Sequence, residues 1–204
     1  VLLCNPNNPT SNTFNSKDIE ALLGRRDRIV VVDEAYGEYA GRSFIPDVDS
    51  HENLIVTRTF SKAYALAGMR IGYAVSNPEL AGVMQRIKIP YSLNRVSEMI
   101  AIKALQNQEF VRMGVDLVNT ERVRLEKGLA ALGFKVYPSE ANFILFKSPI
   151  DHSQLVQKLS EKGVMVRDFG MNRRLENCVR TTIATREMNE TLLSKLAEVL
   201  RECQ

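Results

Sequence analysis

The run "IVVVDEAY", residues 29–36, decides the fold. Four consecutive β-branched residues end on a carboxylate, Asp33. A continuous β-branched run reads as a strand of a parallel sheet buried on both faces. Around it, "VLLC" (1–4), "LIVTRT" (54–59) and "RIGYAV" (70–75) read as further strands. Between them, Ser16 is placed to cap a helix carrying Ile19, Leu22 and Leu23, with Gly24 as its stop. Asn77-Pro78 opens another helix, which runs to Ile87.

From Val96 a helical stretch extends to Leu132 and is closed by Gly133. Val111, Val115, Val118, Leu125, Leu129 and Leu132 keep a helical spacing along it. The texture then changes. "FKVY" (134–137), "NFILF" (142–146), "VMVR" (164–167) and "VRTTIA" (179–184) read as strands, with a helix near 151–162. The last helix, 186–203, shows Met188, Leu192, Leu196 and Leu200 at steps of four. Alternating strands and helices followed by an α+β texture predict two domains, 1–118 and 119–204, with the boundary inside the long helix.

Composition limits the function classes. The chain has 204 residues, 45% hydrophobic and 25% charged, which fits an ordinary globular protein. A net charge of +3 does not point to nucleic acid. The clusters "GRRDR" (24–28) and "NRR" (172–174) lack interleaved aromatics and read as solvated surface. No apolar run approaches the ~20 residues of a membrane span. The chain opens without a basic leader or a starting Met, which suggests a fragment or a processed product. Cys4, Cys178 and Cys203 are far apart and odd in number, fitting a reducing compartment rather than a disulfide framework. His51 and His152 have no partner at ligand spacing, so neither a metal site nor a serine–histidine–aspartate triad is expected. No glycine-rich phosphate loop is present.

The polar residues gather at strand ends, where ligands of open α/β sheets bind. Asp33 ends a strand, Tyr36 follows three residues on, and Asn8 follows the first strand in "NPNNPT". Alone, Asp33 reads as a cap, Asn8 as a turn residue and Lys62 as a surface charge. The segment "RTFSKAYALAGMR" (58–70) changes that balance. A lysine nucleophile must present a neutral amine to a carbonyl. Hydroxyls at Thr59 and Ser61 and a guanidinium at Arg70 would suit a phosphate beside it. An aldehyde cofactor bearing a phosphate and a ring nitrogen, pyridoxal phosphate, meets every member of this ordered set.

The motifs "NPNNPT", "VVDEAY", "RTFSKAYALAGMRIGYA" and "VRTTIATREMNE" together resemble those of the fold-type I pyridoxal-phosphate aminotransferases, the aspartate aminotransferase superfamily. Within it they are most similar to the histidinol-phosphate aminotransferase branch. The resemblance implies part of a three-layer α/β/α large domain followed by a smaller α+β domain. It implies transamination of histidinol phosphate with 2-oxoglutarate, in histidine biosynthesis, by a cytoplasmic homodimer. The alternatives within the enzyme class are a decarboxylase of phosphorylated threonine and an aromatic aminotransferase, both of which would keep Lys62, Asp33 and Arg70. A catalytically incomplete piece is the reading from another class.

By the resemblance, Lys62 is the Schiff-base lysine and proton shuttle, and Asp33 the acid at the ring nitrogen. Asn8 and Tyr36 pair with the cofactor's 3′-oxygen. Thr59, Ser61 and Arg70 are phosphate ligands. Arg180 grips the substrate carboxylate, and Arg167 and Tyr91 line the rest of the substrate pocket, with Arg167 the candidate for the substrate's phosphate. Ser11 departs from the family, which has Gly after "NPNNPT". Relatives also carry a preceding third, with a glycine- or serine-containing phosphate turn, a ring-stacking aromatic residue and a tyrosine that reaches the partner's site.

Overall fold

The computed structural model describes residues 1–203. The chain divides into two compact units, residues 1–8 with 12–115 and residues 9–11 with 116–204.

The first unit is built on a four-stranded sheet. Its strands are β1 (Leu2–Cys4), β2 (Val30–Asp33), β3 (Leu54–Thr59) and β4 (Gly72–Ser76), in that spatial order. β1, β2 and β3 are parallel and β4 is antiparallel to β3. Val30, Val32, Leu54 and Val56 are fully buried, in one cluster with Ile19 and Leu23 of helix α1 (Ser16–Leu23) and with Phe44 and Val48. Fully burying one such side chain contributes about 1.5–3 kcal/mol. Burial along β2 alternates, with Val31 only half-buried and Ile29 exposed. The expected burial on both faces is therefore corrected: in this chain the helix layer covers one face.

Several boundaries also differ from the sequence reading. Asn15, not Ser16, caps α1, its side chain accepting from Lys17 N–H at 3.0 Å. β4 begins at Gly72 rather than residue 70, because Arg70 adopts a left-handed conformation (φ 55°) that ends a 3-10 turn. Between β2 and β3 lies a one-turn helix α2 (Gly37–Ala40). Asn77 caps α3 (Pro78–Ile87), accepting from Leu80 N–H at 3.0 Å. The single helical stretch expected after Val96 is two helices, α4 (Arg95–Gln106) and α5 (Gln108–Ala131), broken at Asn107.

The second unit carries an antiparallel sheet of β5 (Lys135–Val136), β6 (Phe143–Lys147), β7 (Arg167–Asp168) and β8 (Cys178–Thr182), ordered β5-β6-β8-β7. Gly133, at φ 86°, turns the chain into it from the end of α5. Asp151 caps α6 (His152–Glu161), accepting from the amides of Ser153 and Gln154. The core joins Leu125 and Leu129 to Ile144, Phe146, Leu155, Leu159 and Val179. The expected strand 164–167 is a two-residue strand starting at Arg167, since only Arg167 and Asp168 pair with β8. Helix α7 (Arg186–Glu202) adds Leu192, Leu196 and Val199 to that core. Met188, expected on that stripe, is exposed.

Candidate active site

Parallel pairing brings the carboxyl ends of β1, β2 and β3 together, so Cys4, Asp33 and Thr57 are register neighbours. Asp33 Oδ1 accepts from Thr57 Oγ1 and from Ala35 N–H, each at 3.1 Å. Its Oδ2 faces the Cys4 thiol at 3.9 Å. Burial, and then the adjacent Asp33 carboxylate, pushes the Cys4 thiol up from its ordinary value. It thus remains a protonated donor at neutral pH.

Lys62 sits on the loop after β3. Its ammonium lies 5.4 Å from the centroid of the Tyr36 ring, a cation–π contact between two predicted site residues. Lys62 is half-buried. Among the described residues it makes no ion pair. The loop doubles back. Phe60 N–H and Thr59 Oγ1 both donate to Ile71 O, at 3.1 and 3.2 Å. That return brings Arg70 back to the end of β3, although it is eight residues beyond Lys62. Ala65 and Arg70 both lie in the left-handed region, at φ 56° and 55°. A non-glycine residue held there costs about 1–2 kcal/mol, a strain typical of functional loops.

Ser61 and Arg70 leave polar groups toward this turn, while Thr59 is differently used. Its one hydroxyl proton is committed to Ile71 O, and its oxygen accepts from Ser61 N–H at 3.1 Å. A hydroxyl has a single donor, and in this structure that of Thr59 holds the turn. Arg70 is exposed, with Nη1 donating to Ala67 O at 3.0 Å. Asn8 is exposed within the loop that joins β1 to α1. Tyr91 is fully exposed on the segment joining α3 and α4.

Sequence reasoning missed an ionic cluster beneath this loop. Glu34 is 1% exposed and accepts from Phe44 N–H at 2.6 Å and Ser43 Oγ at 2.8 Å. Arg58 reaches Glu34 through Nη2 at 2.7 Å and Glu38 through Nη1 at 2.8 Å. Desolvation lowers the Arg58 guanidinium's affinity for its proton, but the two carboxylates outweigh it and push the group up. Gly37 fits against this cluster because a Cβ there would lie 3.0 Å from Arg58 Cζ. The cluster braces the 33–38 segment that carries Asp33 and Tyr36.

In the second unit Arg167 and Arg180 are direct cross-strand partners. Both guanidinium carbons lie over the Phe169 ring, at 5.9 and 5.5 Å, and Arg180 also stacks on Phe143 at 4.7 Å. Like charges directly opposite one another on a sheet are unfavourable, and an anion between them relieves the repulsion. His152 Nδ1 pairs with Asp168 Oδ1 at 2.9 Å and anchors the strand that carries Arg167.

Among the described residues no group of three His, Cys, Asp or Glu is placed to hold a metal ion. No helix there is long and apolar enough to cross a membrane. A surface cavity of about 660 Å³ is lined by Gly24, Arg28, His51 and Asn53, at the opposite ends of β2 and β3 from Asp33 and Thr59. It contains none of the site residues.

The chain is similar to known proteins along nearly its whole length. A histidinol-phosphate aminotransferase of Thermoanaerobacter sp. (strain X514) is 42% identical over 201 residues, covering 98% of this chain and 57% of the relative. The chain thus spans little more than half the length of such relatives. The solved structure of the histidinol-phosphate aminotransferase from Clostridium acetobutylicum superposes with a TM-score of 0.92 at 26% identity, over 99% of this chain and 64% of that one. That of the Sinorhizobium meliloti histidinol-phosphate aminotransferase, in complex with pyridoxal-5′-phosphate, gives 0.88 at 31% identity, over 100% and 58%. The family model described as aminotransferase class I and II matches residues 1–196, and the chain belongs to that family.

Proposed function

We propose that the protein transfers an amino group between histidinol phosphate and 2-oxoglutarate, with pyridoxal phosphate as cofactor and as a cytoplasmic homodimer. Residues 1–118 are read as the cofactor domain and 119–204 as the smaller domain. The observation that carries the reading is Lys62, a half-buried amine over the Tyr36 ring without an ion-pair partner among the described residues. A structural lysine so placed would have a carboxylate partner, whereas a nucleophilic one must be left without.

The residues fit the cofactor. Lys62 would bond its aldehyde, Asp33 would pair with the ring nitrogen, and Asn8 and Tyr36 would hold the 3′-oxygen. Ser61 and Arg70 would take the phosphate, on a turn shaped by Thr59. When bound, pyridoxal phosphate supplies a carbonyl that captures amines and a ring that accepts an electron pair. Lys62 Nζ then holds and moves the proton lost from the substrate's α-carbon. Asp33, as a carboxylate, keeps the ring nitrogen's proton in place.

Arg180 is read as the partner of the anionic group shared by both half-reactions, and Arg167 as selective for the distal phosphate of histidinol phosphate; Tyr91 is read as a further substrate-binding residue. Arginine suits both because its planar fork matches carboxylate and phosphate bidentately. The test is a single half-reaction of the intact, cofactor-loaded protein with histidinol phosphate, followed by absorbance. Conversion of the bound cofactor to its amine form is expected. Conversion by glutamate or an aromatic amino acid but not by histidinol phosphate would overturn the substrate assignment.

A further inference from the structure

The side chains of Cys4, Asp33 and Thr57 form one row across the ends of three parallel strands. Register neighbours in a sheet project to the same face. Thr57 follows Leu54, Ile55 and Val56 in the strand and would be matched in shape by valine, which favours strands as well. Its hydroxyl therefore needs a reason, and the structure shows one. Thr57 Oγ1 and Ala35 N–H both donate to Asp33 Oδ1 at 3.1 Å. Among the described residues Oδ2 has only the long thiol contact at 3.9 Å. The two carboxylate oxygens are thus unequal: one is held by protein donors and the other is left for a stronger donor.

We propose that Thr57 is a positioning residue for Asp33, fixing the carboxylate through Oδ1 so that Oδ2 is the oxygen offered to the protonated ring nitrogen of pyridoxal phosphate. This inference deepens the function proposed above and rests on it. Rotation of the carboxylate would break the Thr57 bond, so the hydroxyl limits the carboxylate to one orientation before any ligand arrives. Preorganisation of this kind improves affinity by removing an ordering cost at binding. Cys4, kept as a thiol by burial and by the charge of Asp33, donates weakly to the same oxygen without competing for it.

The experiment compares Thr57→Val and Thr57→Ser in the intact apoprotein. The probes are pyridoxal phosphate and its 1-deaza analogue, in which carbon replaces the ring nitrogen. Affinities are read by fluorescence quenching. Thr57→Val should bind pyridoxal phosphate about tenfold more weakly than the parent, the scale of one hydrogen bond to a charged group. Thr57→Ser should stay near the parent. The deaza analogue should bind the parent and Thr57→Val alike, because it has no nitrogen for Asp33 to meet. Equal weakening of both ligands would show a merely structural role, and parent-like binding of pyridoxal phosphate by Thr57→Val would show no role; either overturns the inference alone. A parent that binds the two ligands equally well would overturn the role of Asp33 in the proposed function, and this inference with it.

Discussion

Arg58→Met should be the most damaging single substitution beneath the site. In the folded chain Arg58 is 10% exposed and lies between two carboxylates, Glu34 at 1% and Glu38 at 13%. Removing the guanidinium leaves Glu34 and Glu38 facing one another with no cation. Oε2 of Glu38 already lacks a hydrogen-bond partner among the described residues, so it has no reserve. Breaking a buried ion pair from one side costs about 3–5 kcal/mol. For a protein of this size each kcal/mol moves the melting temperature by about 2–4 °C, so a fall of about 10 °C is expected. The penalty should also depend on pH. A buried carboxyl without a cation binds a proton more readily folded than unfolded, so the variant's stability falls as pH rises. The gap between parent and variant should therefore be wide near about pH 8 and narrow near about pH 5. Calorimetry at both pH values, with Arg58→Met/Glu34→Gln as a companion, measures it. The double variant should recover part of the loss, because it removes one of the two unpaired charges. A loss below about 1 kcal/mol, or a gap that does not change with pH, would refute the reasoning.

Four other outcomes are expected. Incubation with pyridoxal phosphate, borohydride reduction and peptide mapping should place the label on Lys62, and a label on another lysine would defeat that assignment. Asp33→Ala should still accept the label but lose turnover by on the order of a hundredfold or more, and near-normal turnover would return Asp33 to the role of a turn cap. Arg167→Ala should raise KM for histidinol phosphate well beyond that for glutamate, and equal changes would remove the phosphate role. Gly170→Ala should cost about 1–3 kcal/mol, since the added Cβ would lie 2.1 Å from His152 Cγ and push the ring from Asp168. Denaturant midpoints would check this against Gly82→Ala, where nothing lies within 4 Å of the new Cβ and a helix position should gain about 0.5–1 kcal/mol.

Much of the architecture was legible because the strong signals were local. β-branched runs marked β2 and β3, and Asn77-Pro78 marked the start of α3. What sequence alone could not place were features set by pairing. β4 starts at Gly72 because Arg70 takes a left-handed conformation, and β7 is confined to Arg167–Asp168 because only those residues have partners on β8. Ser11 is a case where the sequence signal was real. It stands where the family resemblance leads one to expect glycine, and the structure holds it at φ 61° and fully buried, with Oγ donating to Thr10 O at 2.7 Å. The serine occupies the glycine conformation, and its side chain is satisfied locally.

The missed ionic cluster could have been read from parity. In a strand, residues two apart share a face. Val30 and Val32 point to the helix-covered core, so Glu34, continuing the same parity beyond β2, points there too. Leu54 and Val56 do likewise, so Arg58 follows them. β2 and β3 are neighbours in register, Val32 against Val56. Two opposite charges at the next core-facing positions of adjacent strands must find each other, since either alone would carry a prohibitive desolvation cost. The other parity gives the opposite face: Asp33 with Thr57, and Cys4 beside them. The strand ends therefore divide by alternation. One row, Glu34 and Arg58, locks the segment from below, and the other, Cys4, Asp33 and Thr57, presents a carboxylate above it. Shifting β2 by one residue would bury Asp33 and expose Glu34, and shifting β3 would exchange Thr57 and Arg58 in the same way. The Glu34–Arg58 pair thus also fixes the register on which the position of Asp33 depends.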